Sequence, residues 1–252
     1  MKKAFFALSF CYIFTLFGEK PPLIIGTSTG YAPFVSLNNQ GNYEGFDIDI
    51  AHLIAEKMDR TLQIQDLGTL PSLFLGLEQK KVDLVIWAVS ITEERSKKMQ
   101  MIYYQGEKEI NIPILFWKTP PEGLCSLEDL SKNPKNKICV EAGSWQASVI
   151  EHLPNIKQVD NLSNALLELE YGKSYAIVVD PSLVPTLLSK NSNLTSISLP
   201  LPPDKQSLGN GICIAKANSN LGKQIEDIIN NLISEGKILE LEKKWGLKKI
   251  NE

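Results

Sequence analysis

The sequence predicts an α/β fold, because strand-like apolar runs alternate with amphipathic helical segments along most of its 252 residues. A turn containing Pro and Gly at residues 119–123 is a second observation, since a fresh α/β set begins after it. The third is a β-α-β unit that ends in Val82-Asp83-Leu84-Val85-Ile86-Trp87-Ala88-Val89-Ser90-Ile91-Thr92-Glu93-Glu94-Arg95, which reads as a buried strand running into a helix start.

Taken in order, residues 23–27 are a first strand. Residues 47–58 follow as a helix with Asp47 as N-cap and Ile50, Ala51, Leu53, Ile54 and Met58 along one face. Residues 63–67 are the next short strand. A helix around 72–80 then leads into the strand at 82–86, which delivers Ser90 and Arg95 to its carboxyl end, the edge where ligands sit in open α/β sheets. Residues 110–117 form a long apolar strand. In the second set 137–141 is a strand, 144–153 and 161–172 are helices, and 175–179 is a strand ending at Asp180-Pro181. The run Leu199-Pro200-Leu201-Pro202-Pro203 is extended and stiff, as a crossing between lobes would be. Residues 211–215 return as a strand. Leu221, Ile225, Ile228, Ile229, Leu232 and Ile233 form a helical apolar stripe, and Trp245 closes a last short helix; core packing explains all of these.

Met1-Lys2-Lys3 followed by apolar residues 4–17 has the charged start and short apolar region of a secretory signal peptide, which places the leader at 1–18 and the mature protein outside the cytoplasm. Cys11 offers the alternative of a lipid anchor on an N-terminal cysteine, against which bulky Phe10 argues. After the leader, roughly 230 residues remain, enough for one large or two small domains. The formal charge of −3, less the two charges of Lys2 and Lys3, leaves no basic footprint for nucleic acid. Cys125, Cys139 and Cys213 are an odd set for an oxidising compartment; Cys125 and Cys139 are one conceivable pair, which neither spacing nor number demands. With two histidines and no C-x-x-C, a metal site has almost no ligands to draw on, and none is expected.

Thr92 is a good N-cap, and Glu93 and Glu94 suit the positive end of the helix dipole. Arg95 does not: a cation in that first turn loses a few tenths of a kcal/mol up to about 1. A bound anion is the simplest compensation. A carboxylate there would meet Arg95 bidentately, together with the Ser90 hydroxyl and free backbone N–H groups. The competing reading is a surface arginine in a charged loop.

Five motifs at compatible spacing decide between them: Ile25-Gly26-Thr27 leading to Tyr31-Ala32-Pro33-Phe34; Gly45-Phe46-Asp47-Ile48-Asp49; residues 80–95; Val140-Glu141-Ala142-Gly143-Ser144-Trp145-Gln146; and Tyr171-Gly172-Lys173 through Asp180. With them the chain resembles, from about Leu23 to Leu247, the periplasmic polar amino-acid-binding proteins of ABC importers. The resemblance implies the two-lobed periplasmic-binding-protein fold, with each lobe a mostly parallel sheet flanked by helices and two crossing hinge strands near residues 105–109 and 204–208. One lobe would comprise residues 19–107 plus 207–252, and the other 108–206. It further implies a monomer in the periplasm, without cofactor, that takes a free amino acid and passes it to a membrane permease.

By that resemblance Arg95 and Ser90 hold the ligand α-carboxylate, while the Ala88 carbonyl and the Asp180 carboxylate receive the α-ammonium. A zwitterion needs such a pair of opposite partners. Gly143, Ser144 and Trp145 open a helix whose N–H groups could add to carboxylate binding, and Tyr31 is the aromatic lid over the ligand side chain. Leu70, Leu73 and Trp87 join the lining. The alternative for Tyr31 is ordinary core, and for Asp180 before Pro181 a helix N-cap, both of its roles being compatible only if one oxygen stays free. Gly45-Phe46-Asp47 reads as a turn and cap. Basic-amino-acid binders in the family tend to carry an acid where Ser28 stands, which weakens arginine or lysine, whereas Glu141 suits a guanidinium, ammonium or amide and disfavours glutamate. Trp87 and Trp145 either narrow the pocket, stack on ligand or pack outward. Glutamine or arginine is the expected ligand.

Three rivals remain. Gly26-Thr27-Ser28-Thr29-Gly30 matches the nucleophile elbow of serine hydrolases, but Pro33 disfavours the helix that should follow, and no histidine lies after His152. A cyclohexadienyl-dehydratase-like enzyme would use Glu141 as a cleft acid. A receptor domain would require membrane or signalling segments.

Overall fold

The computed structural model describes residues 20–248. The expected leader and Cys11 lie outside the described residues. Two five-stranded sheets organise the rest. The first runs, in spatial order, Leu62–Asp66, Leu23–Thr27, Leu84–Val85, Asn210–Ala215 and Met99–Gln105, its first three strands parallel and Asn210–Ala215 antiparallel to both neighbours. The second runs Leu194–Pro200, Asn111–Trp117, Ala176–Val178, Ile138–Glu141 and Ile156–Val159, with the last three parallel and Asn111–Trp117 antiparallel to its two neighbours.

Strands buried on both faces explain the near-continuous apolar runs. In Asn111–Trp117, Ile114 and Phe116 belong to one buried cluster and Leu115, between them, to the cluster on the opposite face. The two-residue period of the strand produces that division. Helices Phe46–Lys57, Leu70–Glu78, Ser219–Ser234 and Lys237–Lys244 cover the first sheet, and the stripe Leu221, Ile225, Ile229 and Leu232 is buried there as its spacing predicts. Between the sheets the chain crosses twice, at residues 106–110 and 201–209. The crossings are tied together by Glu109 N–H donating to the Ser207 carbonyl at 2.9 Å and by the Asn210 amide donating to Gln105 Oε1 at 2.8 Å. Two thin, mutually bonded segments are the usual construction of a hinge.

Several local expectations are corrected. The strand expected at 82–86 pairs only over Leu84–Val85. Leu199 and Pro200 end a full strand, Leu194–Pro200, rather than crossing between lobes; Pro200 stands at the strand end, where a missing N–H costs least. The helix expected at 144–153 is shorter, Trp145–Ile150. Met99–Gln105 was not read as a strand, since Met-Gln-Met-Ile-Tyr-Tyr-Gln alternates irregularly. Cys125, Cys139 and Cys213 are free thiols, Cys139 buried inside the second sheet and Cys125 exposed.

Asp47 is not the cap of its helix. Gly45 occupies that place, and Asp47 lies in the first turn with its carboxylate directed inward. Gly45 has φ +137, and a Cβ there would stand 2.0 Å from the Phe34 carbonyl oxygen. Gly45→Ala is therefore expected to cost more than about 3 kcal/mol, read as a loss of urea midpoint.

Candidate functional site

The loops at the carboxyl ends of the first sheet meet those of the second across one buried seam. Thr92 caps the helix Glu93–Lys98 by accepting from Arg95 N–H at 3.2 Å, as expected from sequence. That helix has only six residues, so Arg95 belongs to its last turn as much as its first. The dipole penalty anticipated for Arg95 is accordingly small. The side chain turns inward, is 9 % exposed, and donates from Nη1 to the Ser90 carbonyl at 2.7 Å and from Nη2 to the Gly143 carbonyl at 3.0 Å. Its guanidinium carbon stands 5.4 Å from the centre of the Phe74 ring. Burial lowers the pKa of Arg95, yet a guanidinium stays charged at any ordinary pH. A buried planar cation whose present partners are neutral carbonyls and a ring face is suited to an anion.

The Arg95–Gly143 bond joins the two halves of the molecule. Gly143 contributes its carbonyl to the guanidinium, a different role from the N–H donor expected of it. It also has φ +73, and a Cβ there would lie 3.0 Å from the Pro71 side chain, so the close approach of the halves needs glycine.

Asp180 follows the strand Ala176–Val178. It does cap the short helical turn at Pro181–Leu183: Oδ1 accepts from the Ser182 N–H at 2.9 Å and from the Ser182 hydroxyl. Among the described residues, Oδ2 accepts only a long bond, 3.3 Å, from the Gln146 amide. The cap therefore occupies one oxygen and leaves the other weakly engaged, so capping and ligand contact are compatible. Burial raises the Asp180 pKa, against the lowering effect of Ser182, Gln146 and Arg95.

Glu141, at the end of the strand Ile138–Glu141, faces the same seam. Its Oε1 is buried with no hydrogen-bond partner among the described residues. Burial first, and the charge of Asp180 second, push its pKa up to about 8. Tyr31 packs at 4.8 Å from the Trp87 ring and is 8 % exposed, which makes it both core and wall. Trp87 is fixed by its indole N–H donating to the Ser28 carbonyl at 2.8 Å. Trp145 is fixed likewise on the Lys205 carbonyl at 2.8 Å, in the second crossing.

Ala88 sits at φ +44, a backbone conformation that disfavours a side chain, and its N–H donates to Asp47 Oδ2 at 2.8 Å. Asp47 Oδ1 accepts from the Tyr104 hydroxyl at 2.7 Å. Asp47 thus acts from behind the seam, holding the 88–90 turn in place, while burial raises its own pKa to about 7.

Of the residues expected at a site, Tyr31, Leu70, Trp87, Ala88, Ser90, Arg95, Glu141, Trp145 and Asp180 line one gap of about 20 Å³. Ser28, Leu73 and Gly143 do not. Ser28 is buried with its hydroxyl donating to the Gly68 carbonyl at 3.1 Å, and Leu73 is core. The hydrolase reading loses its nucleophile with that bond, and it has no base: His52 is exposed on the helix Phe46–Lys57, and His152 stands beside Glu128. Ser144, expected to open the helix at the carboxylate, also lines the gap; Val89 and Gln146 line it too and were missed, Gln146 although it ends a motif that sequence singled out. Phe74 was missed too. Its signal was its place one turn after Leu70 on the helix Leu70–Glu78. A volume of about 20 Å³ holds about one water. Anything the size of an amino acid enters only when the halves part about the crossings. A larger groove, about 1090 Å³, lies on the hinge side and reaches Ser90 and Asp180 from behind.

The sequence profile of the bacterial extracellular solute-binding proteins, family 3, matches residues 23–248. Among characterised sequences, a probable arginine-binding protein of an ABC transporter, ArtJ of Chlamydia trachomatis, is 33 % identical over 226 residues, covering 89 % of this chain and 85 % of its own. Among solved structures, a mutant of the arginine-binding protein of T. maritima superposes with a TM-score of 0.78 at 28 % identity, covering 90 % of this chain and 95 % of that one. An ancestral arginine-binding protein bound to glutamine superposes with a TM-score of 0.76 at 26 % identity, covering 89 % and 97 %.

Proposed function

The chain belongs to the bacterial extracellular solute-binding proteins of family 3, and on that premise we propose that it captures one polar amino acid, arginine foremost and glutamine second, between two lobes and delivers it to an ABC permease. The observation that carries this reading is the convergence of Arg95 from one sheet and Asp180 from the other on a single buried seam. An α-carboxylate would exchange for the carbonyls on Arg95, and an α-ammonium would take the weakly engaged Asp180 Oδ2. Ser90 and the Ala88 carbonyl complete the two ends. Tyr31 and Trp87 form an aromatic wall for the side chain, with Leu70 and Trp145 beside them.

The arginine assignment is supported by the names of the relatives and by the carboxyl group of Glu141 in the lining. It stands although Ser28 is not an acid. Binding the closed arrangement better than the open one lets the ligand itself drive closure. In this reading residues 19–107 plus 207–252 form one lobe and 108–206 the other. The protein acts as a monomer in the periplasm after export by its leader, and Glu141 selects ligand rather than serving as a dehydratase acid.

Calorimetry of refolded, ligand-stripped protein against the twenty amino acids tests the proposal. Arginine is expected to bind with a Kd of about 1 μM or tighter. Failure of every amino acid to bind more tightly than about 100 μM contradicts it.

A further inference from the structure

We propose that Glu141 exchanges a proton for the cationic tip of the bound side chain, so that the closed site holds a guanidinium amino acid with Glu141 ionised and a neutral one with Glu141 protonated. The inference rests on the amino-acid-binding reading above and deepens it to a rule for the side chain. Its geometric basis is the buried Glu141 Oε1, which has no hydrogen-bond partner among the described residues and belongs to a residue lining the same gap as Arg95 and Asp180. The titratable and charged groups that meet it there are Asp180 from the same half and Tyr31, Arg95 and, behind Tyr31, Asp47 from the other. Asp180 is the neighbour that acts on Glu141 directly, and it disfavours a second negative charge.

An unpaired carboxylate in that position is costly, and a carboxylic acid is not. When the lobes close over a neutral side chain, Arg95 and the α-ammonium are taken up by the α-carboxylate and Asp180, no positive charge is left for Glu141, and it carries a proton, consistent with its pKa near 8 in the closed arrangement. As an acid it donates a hydrogen bond to an amide or ureido oxygen. A guanidinium supplies both the charge and the donors, so the proton is left with the buffer and the carboxylate accepts the fork. No bond other than the O–H is broken, and the charge within the seam is the same in both complexes.

Whatever the state of Glu141 before closure, the two complexes differ by one proton. Asp180 does not blur that difference, because the α-ammonium of either ligand pairs with it alike. The affinity of a guanidinium ligand relative to a neutral one should therefore rise about tenfold per pH unit for as long as Glu141 stays protonated in the neutral complex.

Arginine and citrulline are the probes, being alike except for a guanidinium in one and a neutral ureido group in the other. Calorimetry at pH 7 in phosphate and in Tris, whose ionisation enthalpies differ, gives the protons exchanged with each. The expected result is a difference of close to one proton between the two ligands, and a ratio of affinities about 30-fold lower at pH 5.5 than at pH 7. In Glu141→Gln both the proton difference and the pH dependence of the ratio should vanish. Equal proton balances for two ligands that both bind overturn this inference and leave amino-acid capture standing. So does citrulline failing to bind at pH 5.5 while arginine binds. Absence of binding by any amino acid overturns both. The wild-type measurement is decisive even where the variant folds poorly.

Discussion

Arg95→Ala is expected to weaken binding of every amino acid by more than about 100-fold, whatever the side chain. The ligand carboxylate loses its bidentate partner in a buried seam, and among the described residues no other cation lines the gap to replace it. The Arg95 bonds to the Ser90 and Gly143 carbonyls, 2.7 and 3.0 Å, belong to the ligand-free arrangement and give way to the carboxylate, so the lost ligand contact carries the effect. Arg95→Lys should recover part of the affinity, because an ammonium keeps the charge but cannot reach two acceptors as a planar fork. Calorimetry reads the affinity, and a thermal melt shows that the fold persists. Glu141→Gln offers the contrast, altering the preference between arginine and its neutral analogue while amino acids in general still bind. Equal, general losses from Arg95→Ala and Glu141→Gln would contradict the division of roles between the two ends of the site.

Asp47→Ala is expected to have the largest effect on stability among the residues supporting the site, a loss of about 2–5 kcal/mol. The carboxylate is completely buried and satisfies the Ala88 N–H and the Tyr104 hydroxyl, both of which would be left without an acceptor. Asp47→Asn should behave differently. An amide oxygen can still accept from Ala88, and its NH₂ can donate to the Tyr104 oxygen, so stability at neutral pH should lie close to that of the unaltered protein. The pH dependence separates the variants further. Burial raises the Asp47 pKa from 3.8 to about 7, above its value in the unfolded chain. Below pH 3.8 the group is protonated in both states and costs nothing; as pH rises toward 7 the unfolded chain ionises first, and folding stability falls. Asp47→Asn removes that fall. Urea denaturation at pH 5 and pH 8 should show a smaller drop for Asp47→Asn than for the unaltered protein, and identical drops would mean that Asp47 titrates like an exposed carboxylate.

The α/β class and the strand-to-helix passage that carries Ser90 and Arg95 were legible because their signals are local. Apolar runs are short enough to be strands, and Thr92 is a cap whose hydroxyl accepts the Arg95 N–H as its type suggests. Asp180 was legible in both its capping role and its cleft position, and the structure reconciles them by giving each oxygen a separate partner. The role of Asp47 was not. A short polar residue before an apolar helix reads as a cap, and only the long-range approach of Ala88 and Tyr104 turns its carboxylate inward. Met99–Gln105 and Leu194–Pro200 escaped for a related reason: strand pairing, rather than their own mixed composition, makes them strands. The electrostatic oddity of Arg95 pointed to a residue that does turn into the buried seam, by an argument that the six-residue helix weakens. What sets Arg95 apart is burial with neutral partners, which helix position alone cannot reveal.

A crystal structure of the protein with arginine tests the central claim most directly. The account predicts the α-carboxylate about 3 Å from the Arg95 guanidinium nitrogens, the α-ammonium at the same distance from Asp180 Oδ2, and the guanidinium on Glu141 between the halves. Arginine seated in the hinge-side groove, with the Arg95 bonds to the Ser90 and Gly143 carbonyls intact, would contradict it.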